Sequence, residues 1–483
     1  MNKRQAASAR YPELCQIIGG ELEQGLGKAV DVMDPTTGCV LGQYREASES
    51  QIDRAVDASE RGFATWRKMS AHDRGTILHR VATELRDRSE ELAELVVLEL
   101  GKPWKDALAE VEQAAGMWQW AAEEGRRAYG RIIPSREHNS IQFTLVEPLG
   151  PIAAFGSWNA PLITPSRKIS SALGAGCSII AKAAEDVPAC SLEIGKIAYK
   201  CGLPEGVLSV LVGDPVMISE KLIESSVIRG VTFTGSTHVG KMLASKVVSY
   251  MKRPIMELGG HAPVLVFNDV DVEKVAREGA RAKFRNAGQV CTSPTRFFVQ
   301  SGIFEEFTSI FADEASNLNL GCGFDRDTTM GPLVAIRRLA AMDEFIINAR
   351  SLGFSIPAGG RAISGEGYFY EPTVISGATT EGLISNVEPF GPIAMTASFN
   401  TYKEGVALAN RLPFALAAYV HCNNVHVINS AMNDVEAGNV ICNGWRVSLP
   451  ETPFGGHKDS GFYSEGGIEG LFAFQKIKFA YSA

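Results

Sequence analysis

From Gly150 onward the chain alternates short, largely apolar runs with amphipathic segments, and this restricts the fold more than any other feature of the sequence. The runs at 152–155, 178–182, 208–212 and 230–233 have no polar alternation, as expected of strands covered on both faces. Helical spacing falls between them, at 164–173, 189–201 and 217–225. Strands separated by helices of that length pair in parallel through crossover connections. A second series starts at 263–267 and continues past Ala437. The first third reads as helical. Ile52, Ala55, Val56 and Phe63 keep helical spacing within 51–69, Ser70 stands before Asp73 like a capping box, and Gly101 with Pro103 ends a long helix near Leu100. A further helix covers about 104–129. Ile141, Phe143 and Leu145 alternate with Gln142, Thr144 and Val146, and 471–481 alternates again; both read as half-exposed strands. The expected class is therefore α/β, and at about 150 residues per domain the 483 residues make two or three domains.

Composition narrows the function. Forty-seven Lys and Arg against 55 Asp and Glu give a net charge of −8, which argues against nucleic acid or an anionic membrane surface as partner. No apolar run reaches the roughly 18 residues of a spanning helix. The segment MNKRQAASAR is basic but has no apolar core, so it reads as a frayed terminus rather than a secretory signal. Nine cysteines without a CxxC pair fit a reduced, cytoplasmic protein. The histidines lack ligand spacing; His421 and His426 are five apart, and no metal site is expected.

The dinucleotide fingerprint GxGxxG is missing, since Gly174-Ala175-Gly176 is not followed by the third glycine. Instead, Phe233-Thr234-Gly235-Ser236 sits where a strand passes into a helix, where backbone N–H groups and hydroxyls suit a phosphate. Around it stand Trp158-Asn159-Ala160-Pro161, Glu257-Leu258-Gly259-Gly260, Gly288-Gln289-Val290-Cys291, Glu388-Pro389-Phe390-Gly391 and Pro453-Phe454-Gly455-Gly456. Singly, each has a bland reading: a capped turn, a solvated Glu, a buried inert Cys. Six together, in this order, resemble the aldehyde dehydrogenase superfamily from about Ile18 to Tyr481.

The resemblance implies a fold with a Rossmann-type cofactor domain (1–126 and 149–256), an α/β catalytic domain (257–445) and a small strand arm for oligomerisation (127–148 and 468–483). It implies Cys291 as a thiol nucleophile toward an aldehyde, with the Asn159 amide and the Cys291 N–H stabilising the oxyanion. Glu257, 34 residues earlier, would activate water to release the thioester, which favours hydrolysis over transfer to CoA. Trp158, Lys182, Glu185, Gly235, Ser236, Glu388 and Phe390 would bind the cofactor. A carboxylate at Glu185 accepts from ribose hydroxyls and repels a 2′-phosphate, so NAD is expected. Ala183 stands where the family usually has proline.

The segment from Lys283 to Gln289, with Arg167-Lys168, is similar to the succinate-semialdehyde branch, in which Arg167 and Arg285 would hold the substrate's distal carboxylate. Ser293 occupies a position where some branch members have a second Cys, and Thr292, Pro294 and Trp445-Arg446 also differ, which leaves a bulkier or aromatic aldehyde open. A cofactor-independent thiol esterase and a non-enzymatic relative of the same fold are the remaining alternatives. The partners expected are a small aldehyde and further copies of the chain, as a homodimer or homotetramer.

Overall fold

The computed structural model describes residues 3–483. Five parallel strands, Ile152–Phe155, Ile179–Lys182, Leu208–Leu211, Gly230–Thr234 and Arg253–Glu257, form the middle of an eight-stranded sheet. Numbered by chain order, they lie in the sheet as 3-2-1-4-5. The order reverses between Ile152–Phe155 and Gly230–Thr234, so the loops leaving these two strands diverge and open a crevice at their carboxyl ends. Those loops are Gly156-Ser157-Trp158-Asn159 and Gly235-Ser236.

A second sheet of seven strands carries the later series. It is built around Ala262–Val266 and Pro294–Gln300, with Ile393–Phe399, Thr373–Ser376, Ala417–His421 and Asn439–Cys442 in parallel and Ser355–Ala358 antiparallel at one edge. Separate apolar cores form around the two sheets. The second is rich in aromatic rings: Phe311 lies 4.6 Å from Phe297 and 5.7 Å from Phe307, centroid to centroid. A third, antiparallel sheet pairs Gln475–Ser482 with Ile141–Pro148 and Ile132–Ile133, and leaves Ile132, Ile141, Ile477 and Phe479 facing solvent.

Four expectations need correction. The long helix after Ser70 is two helices, Ala71–Asp87 and Ser89–Leu100, because the chain turns at Arg88 (φ −97°, ψ 22°). No Gly or Pro marks that turn. Residues 471–472 belong to a helix, Gly467–Phe472, and the final strand starts only at Gln475. The segment read as a frayed terminus contains the helix Lys3–Ser8, with Ala7 buried in the first core and Arg4 paired to Asp34 at 2.7 Å; Met1 and Asn2 lie outside the described residues. The first third also carries strands, including the antiparallel pair Ala29–Asp34 and Cys39–Arg45. No helix of the described residues is long and apolar enough to cross a membrane.

Phe311 has no exposed surface and contacts three other Phe rings. Phe311→Ala is expected to cost about 3–5 kcal/mol of stability, because the rings around it cannot close the space. A fall in the thermal unfolding midpoint, followed by intrinsic fluorescence, checks this.

Candidate active site

Cys291 lies on a tight turn between the helix Val272–Phe284 and the strand Pro294–Gln300. The approach to it is unusual: Asn286, Ala287 and Gly288 all have positive φ, at 51°, 52° and 70°. The Asn286 amide holds this path by donating to the Asn159 carbonyl at 3.0 Å and the Gln289 carbonyl at 3.2 Å. Past the turn, the Tyr419 hydroxyl donates to the Thr292 carbonyl at 2.7 Å.

Two cavities meet at this thiol. One is walled by Glu110, Arg167, Arg285, Ser448, Phe454 and Glu465. The other lies in the crevice of the first sheet and is walled by Trp158, Gly235, Ser236, Arg338, Glu388 and Phe390. Asn159, Thr234, Glu257 and Cys291 border both. The three residues expected to carry chemistry, separated by up to 132 positions of sequence, thus stand at one junction.

Glu257 ends the strand Arg253–Glu257, so the sheet itself delivers its carboxylate to the junction. Burial raises its pKa to about 7, and the Glu465 carboxylate adds to the rise, while Lys168 and Arg167 oppose it. Its Oε1 and the hydroxyl of Thr234 are buried without a hydrogen-bond partner. Withdrawal from water also pushes the Cys291 thiol well above the ordinary cysteine range, and the negative charge of Glu257 pushes it further. The Asn159 amide donates to the Gln289 carbonyl at 3.0 Å, and its oxygen accepts from the Ser157 hydroxyl at 2.7 Å. One amide hydrogen is left for the cavity. The Cys291 N–H donates to no backbone carbonyl among the described residues.

On the crevice side, Ser236 caps the helix Thr237–Ser249, accepting from Val239 N at 3.4 Å. This helix start, with the Gly235 turn before it, can receive a phosphate group. Trp158 and Phe390 meet edge to face at 5.4 Å, and Phe390 itself has φ 43°. A Cβ on Gly259 would come within 2.8 Å of the Glu388 carboxylate, so only glycine lets that group sit here. Lys182 and Glu185 form an ion pair at the carboxyl end of Ile179–Lys182, beyond the walls of the cavity proper, with the lysine buried and the carboxylate part-exposed. A cavity with orphaned polar atoms at its inner end and a helix start at its side fits an extended nucleotide cofactor.

On the other side, Arg167 is 6% exposed, lies 4.5 Å over the Phe454 ring and donates to the Ser448 hydroxyl. It makes no direct ion pair among the described residues and its Nε has no hydrogen-bond partner, while its charge acts on Glu257 across the cavity. Arg285 is exposed and borders both this cavity and the wider one outside it, which Tyr419, Trp445 and Arg446 also line.

Several residues here were not singled out from the sequence. Lys168 pairs with Glu465 and donates to Thr232 at 3.1 Å, a buried charge pair behind Glu257 whose members are 297 residues apart. Arg338 donates to the carbonyls of Pro389 and Phe390 at 2.6 and 3.2 Å and so fixes the loop that carries Glu388. Ser448 has φ 74°, a conformation no composition rule marks. No group of three His, Cys, Asp or Glu among the described residues could hold a metal ion.

The aldehyde dehydrogenase family profile matches residues 22–480. The chain is 41% identical over 471 residues to a 4-(hydroxymethyl)benzenesulfonate dehydrogenase of Comamonas testosteroni, covering 97% of this chain and 98% of that one. It is 34% identical over 464 residues to a succinate-semialdehyde dehydrogenase [NADP(+)] of Escherichia coli K12, covering 96% of each. Among solved structures it is similar to betaine aldehyde dehydrogenase from Staphylococcus aureus in complex with NAD+, with TM-score 0.96, 27% identity, and 99% and 97% coverage.

The electrostatics make a prediction that needs no turnover. Replacing Glu257 by Gln removes the charge that raises the thiol of Cys291, so more thiolate forms at a given pH. Glu257→Gln is expected to speed alkylation of Cys291 by iodoacetamide at pH 8, up to about tenfold for each unit by which the pKa falls. Peptide mass spectrometry reads the rate; slower alkylation would mean that the carboxylate activates the thiol instead.

Proposed function

The chain belongs to the aldehyde dehydrogenase family, and on that premise we propose that it oxidises a carboxylate-bearing aldehyde, such as succinate semialdehyde, to its acid with NAD. As a family member with oxidoreductase relatives along nearly its whole length, it is an enzyme, and the non-enzymatic and cofactor-free esterase alternatives are not carried forward. The observation that carries the reading is the meeting of two cavities at Cys291, Glu257 and Asn159.

The Cys291 thiol gives up its proton to solvent, and the thiolate sulfur attacks the aldehyde carbon. The oxyanion that forms is met by the free Asn159 amide hydrogen and the Cys291 N–H. When bound, the nicotinamide supplies the hydride acceptor that brings this carbon to the acid level. Glu257 then takes a proton from the water that attacks the thioester, and the acid leaves as the sulfur is released. Glu257 must be ionised for this. Its pKa is raised, so the base form is present above about pH 7 and is lost as the pH falls through that value. Trp158, Gly235, Ser236, Glu388 and Phe390 would hold the nicotinamide half, with Lys182 and Glu185 at the adenine ribose.

Arg167 and Arg285 would meet the distal carboxylate, supported by the place of both guanidinium groups on the cavity wall and by the link of Arg167 to Ser448. A second reading is an anionic aromatic aldehyde. It is favoured by the 41% identical relative named for a benzenesulfonate and by the Tyr419, Trp445 and Arg446 wall of the outer cavity. The proposal includes the domain division given above and a homodimer or homotetramer in which the exposed apolar side chains of the third sheet are covered by another copy. Nine free thiols suit a reducing cytoplasm.

Cys291→Ala is expected to abolish NADH formation while NAD binding survives, and Glu257→Gln to give one burst of absorbance at 340 nm and then stall. Turnover by Cys291→Ala would refute the mechanism. For the substrate, Arg285→Ala should lower kcat/KM for succinate semialdehyde roughly 10- to 100-fold, the worth of one charge-assisted bond, and leave benzaldehyde nearly unaffected. Equal losses on both would make Arg285 structural, and a wild type that prefers anionic benzaldehydes would select the aromatic reading. The wild type should prefer NAD over NADP at least about tenfold, or roughly 1.4 kcal/mol, and Glu185→Ser should narrow that ratio of kcat/KM values.

A further inference from the structure

Lys283, in the last turn of the helix Val272–Phe284, has no exposed surface and no carboxylate within ion-pair distance among the described residues. Its ammonium donates to the hydroxyls of Ser293 at 3.1 Å and Thr295 at 3.3 Å. Ser293 answers by donating to the Lys283 carbonyl at 3.3 Å, so helix end and serine are tied twice. Ser293 N in turn donates to Val290 O at 2.9 Å, closing the four-residue turn whose second member is Cys291. The same ammonium lies 3.2 Å from where a Cβ on Gly288 would be, directly under the positive-φ path that leads to the thiol.

A buried ammonium held by hydroxyls alone is an expensive way to fill space that Met or Leu could occupy. Burial brings its pKa down to about 7, and the one charge noted as opposing this is Glu388. Glu388 has the complementary difficulty. Burial raises its carboxyl to about 8 and the charge of Glu257 raises it further, while the Gly260 N–H, Lys283 and Arg338 lower it. Arg338 is already engaged with the Pro389 and Phe390 carbonyls.

We propose that Lys283 is a positioning residue that seats the Cys291 turn through Ser293. This rests on the reading of Cys291 as nucleophile. Ser293→Ala cuts the tie between the turn and the helix end, Lys283→Met removes the donor that holds Ser293, and Lys283→Arg keeps a donor there.

The test measures kcat and, without aldehyde, the Kd of NAD by fluorescence quenching. Ser293→Ala and Lys283→Met should each lose about tenfold in kcat with an unchanged Kd, and Lys283→Arg should recover part of the kcat. Lys283→Met with kcat within twofold of wild type overturns the proposal, and so does an equal loss in kcat and in NAD affinity, the mark of plain structural damage. Should Lys283→Met not fold, Ser293→Ala decides, since wild-type kcat in that variant removes the seating role. Cys291→Ala run alongside separates the two levels. If it still turns over, the underlying reading fails; if it is dead and Lys283→Met is normal, only this inference does.

Discussion

Asn286 and Ala287 adopt positive φ although each carries a side chain, and Gly288 continues the same path. Left-handed conformation costs a residue with a Cβ about 1–2 kcal/mol, so the segment keeps this shape only because its surroundings impose it. The imposing contacts come from four directions: the Asn286 amide to Asn159 and Gln289, Tyr419 to Thr292, Lys283 to Ser293, and the Gln289 amide nitrogen to the Asn286 carbonyl at 3.1 Å. These contacts bind the loop of the first sheet to the turn of the second. Were the strain relaxed, Cys291 would leave the junction of the two cavities and neither cavity would have a reacting group.

The same junction concentrates charge in a dry place. Glu257, Glu388 and Glu465 are opposed by Arg167, Lys168, Lys283 and Arg338, and of these only Lys168 and Glu465 form a direct pair. Burial is the main reason why Glu257, Glu388 and Lys283 all shift toward neutral pH, and the opposite charges across the site hold these shifts back. Groups poised there can exchange protons during a reaction, whereas surface ion pairs elsewhere on the chain, such as Arg361 with Glu371, cannot be tuned in this way.

The strands that build the crevice were legible because burial on both faces leaves an uninterrupted apolar run, and 152–155 is found where the pattern put it. Cys291, Glu257 and Asn159 were legible as a family pattern, and they converge here although no local rule brings them together. Legibility failed where the controlling partner was remote or conformational. The turn at Arg88 has no Gly or Pro to announce it, and residues 471–472 alternate in hydropathy yet sit in a helix. Glu465 carries no mark that it will neutralise a lysine 297 residues away.

Local physics, then, settles which segments become strands and helices, because side-chain period, capping and glycine placement act within a few residues. It also sets the kinds of chemistry available, through the presence of a thiol, carboxylates and an amide in recognisable company. The ionisation of Glu257, the burial of Arg167 over the Phe454 ring and the seating of Cys291 by Lys283 belong to the folded chain alone. They depend on desolvation and on distances between residues far apart in sequence, and both exist only once the two sheets have closed on one another.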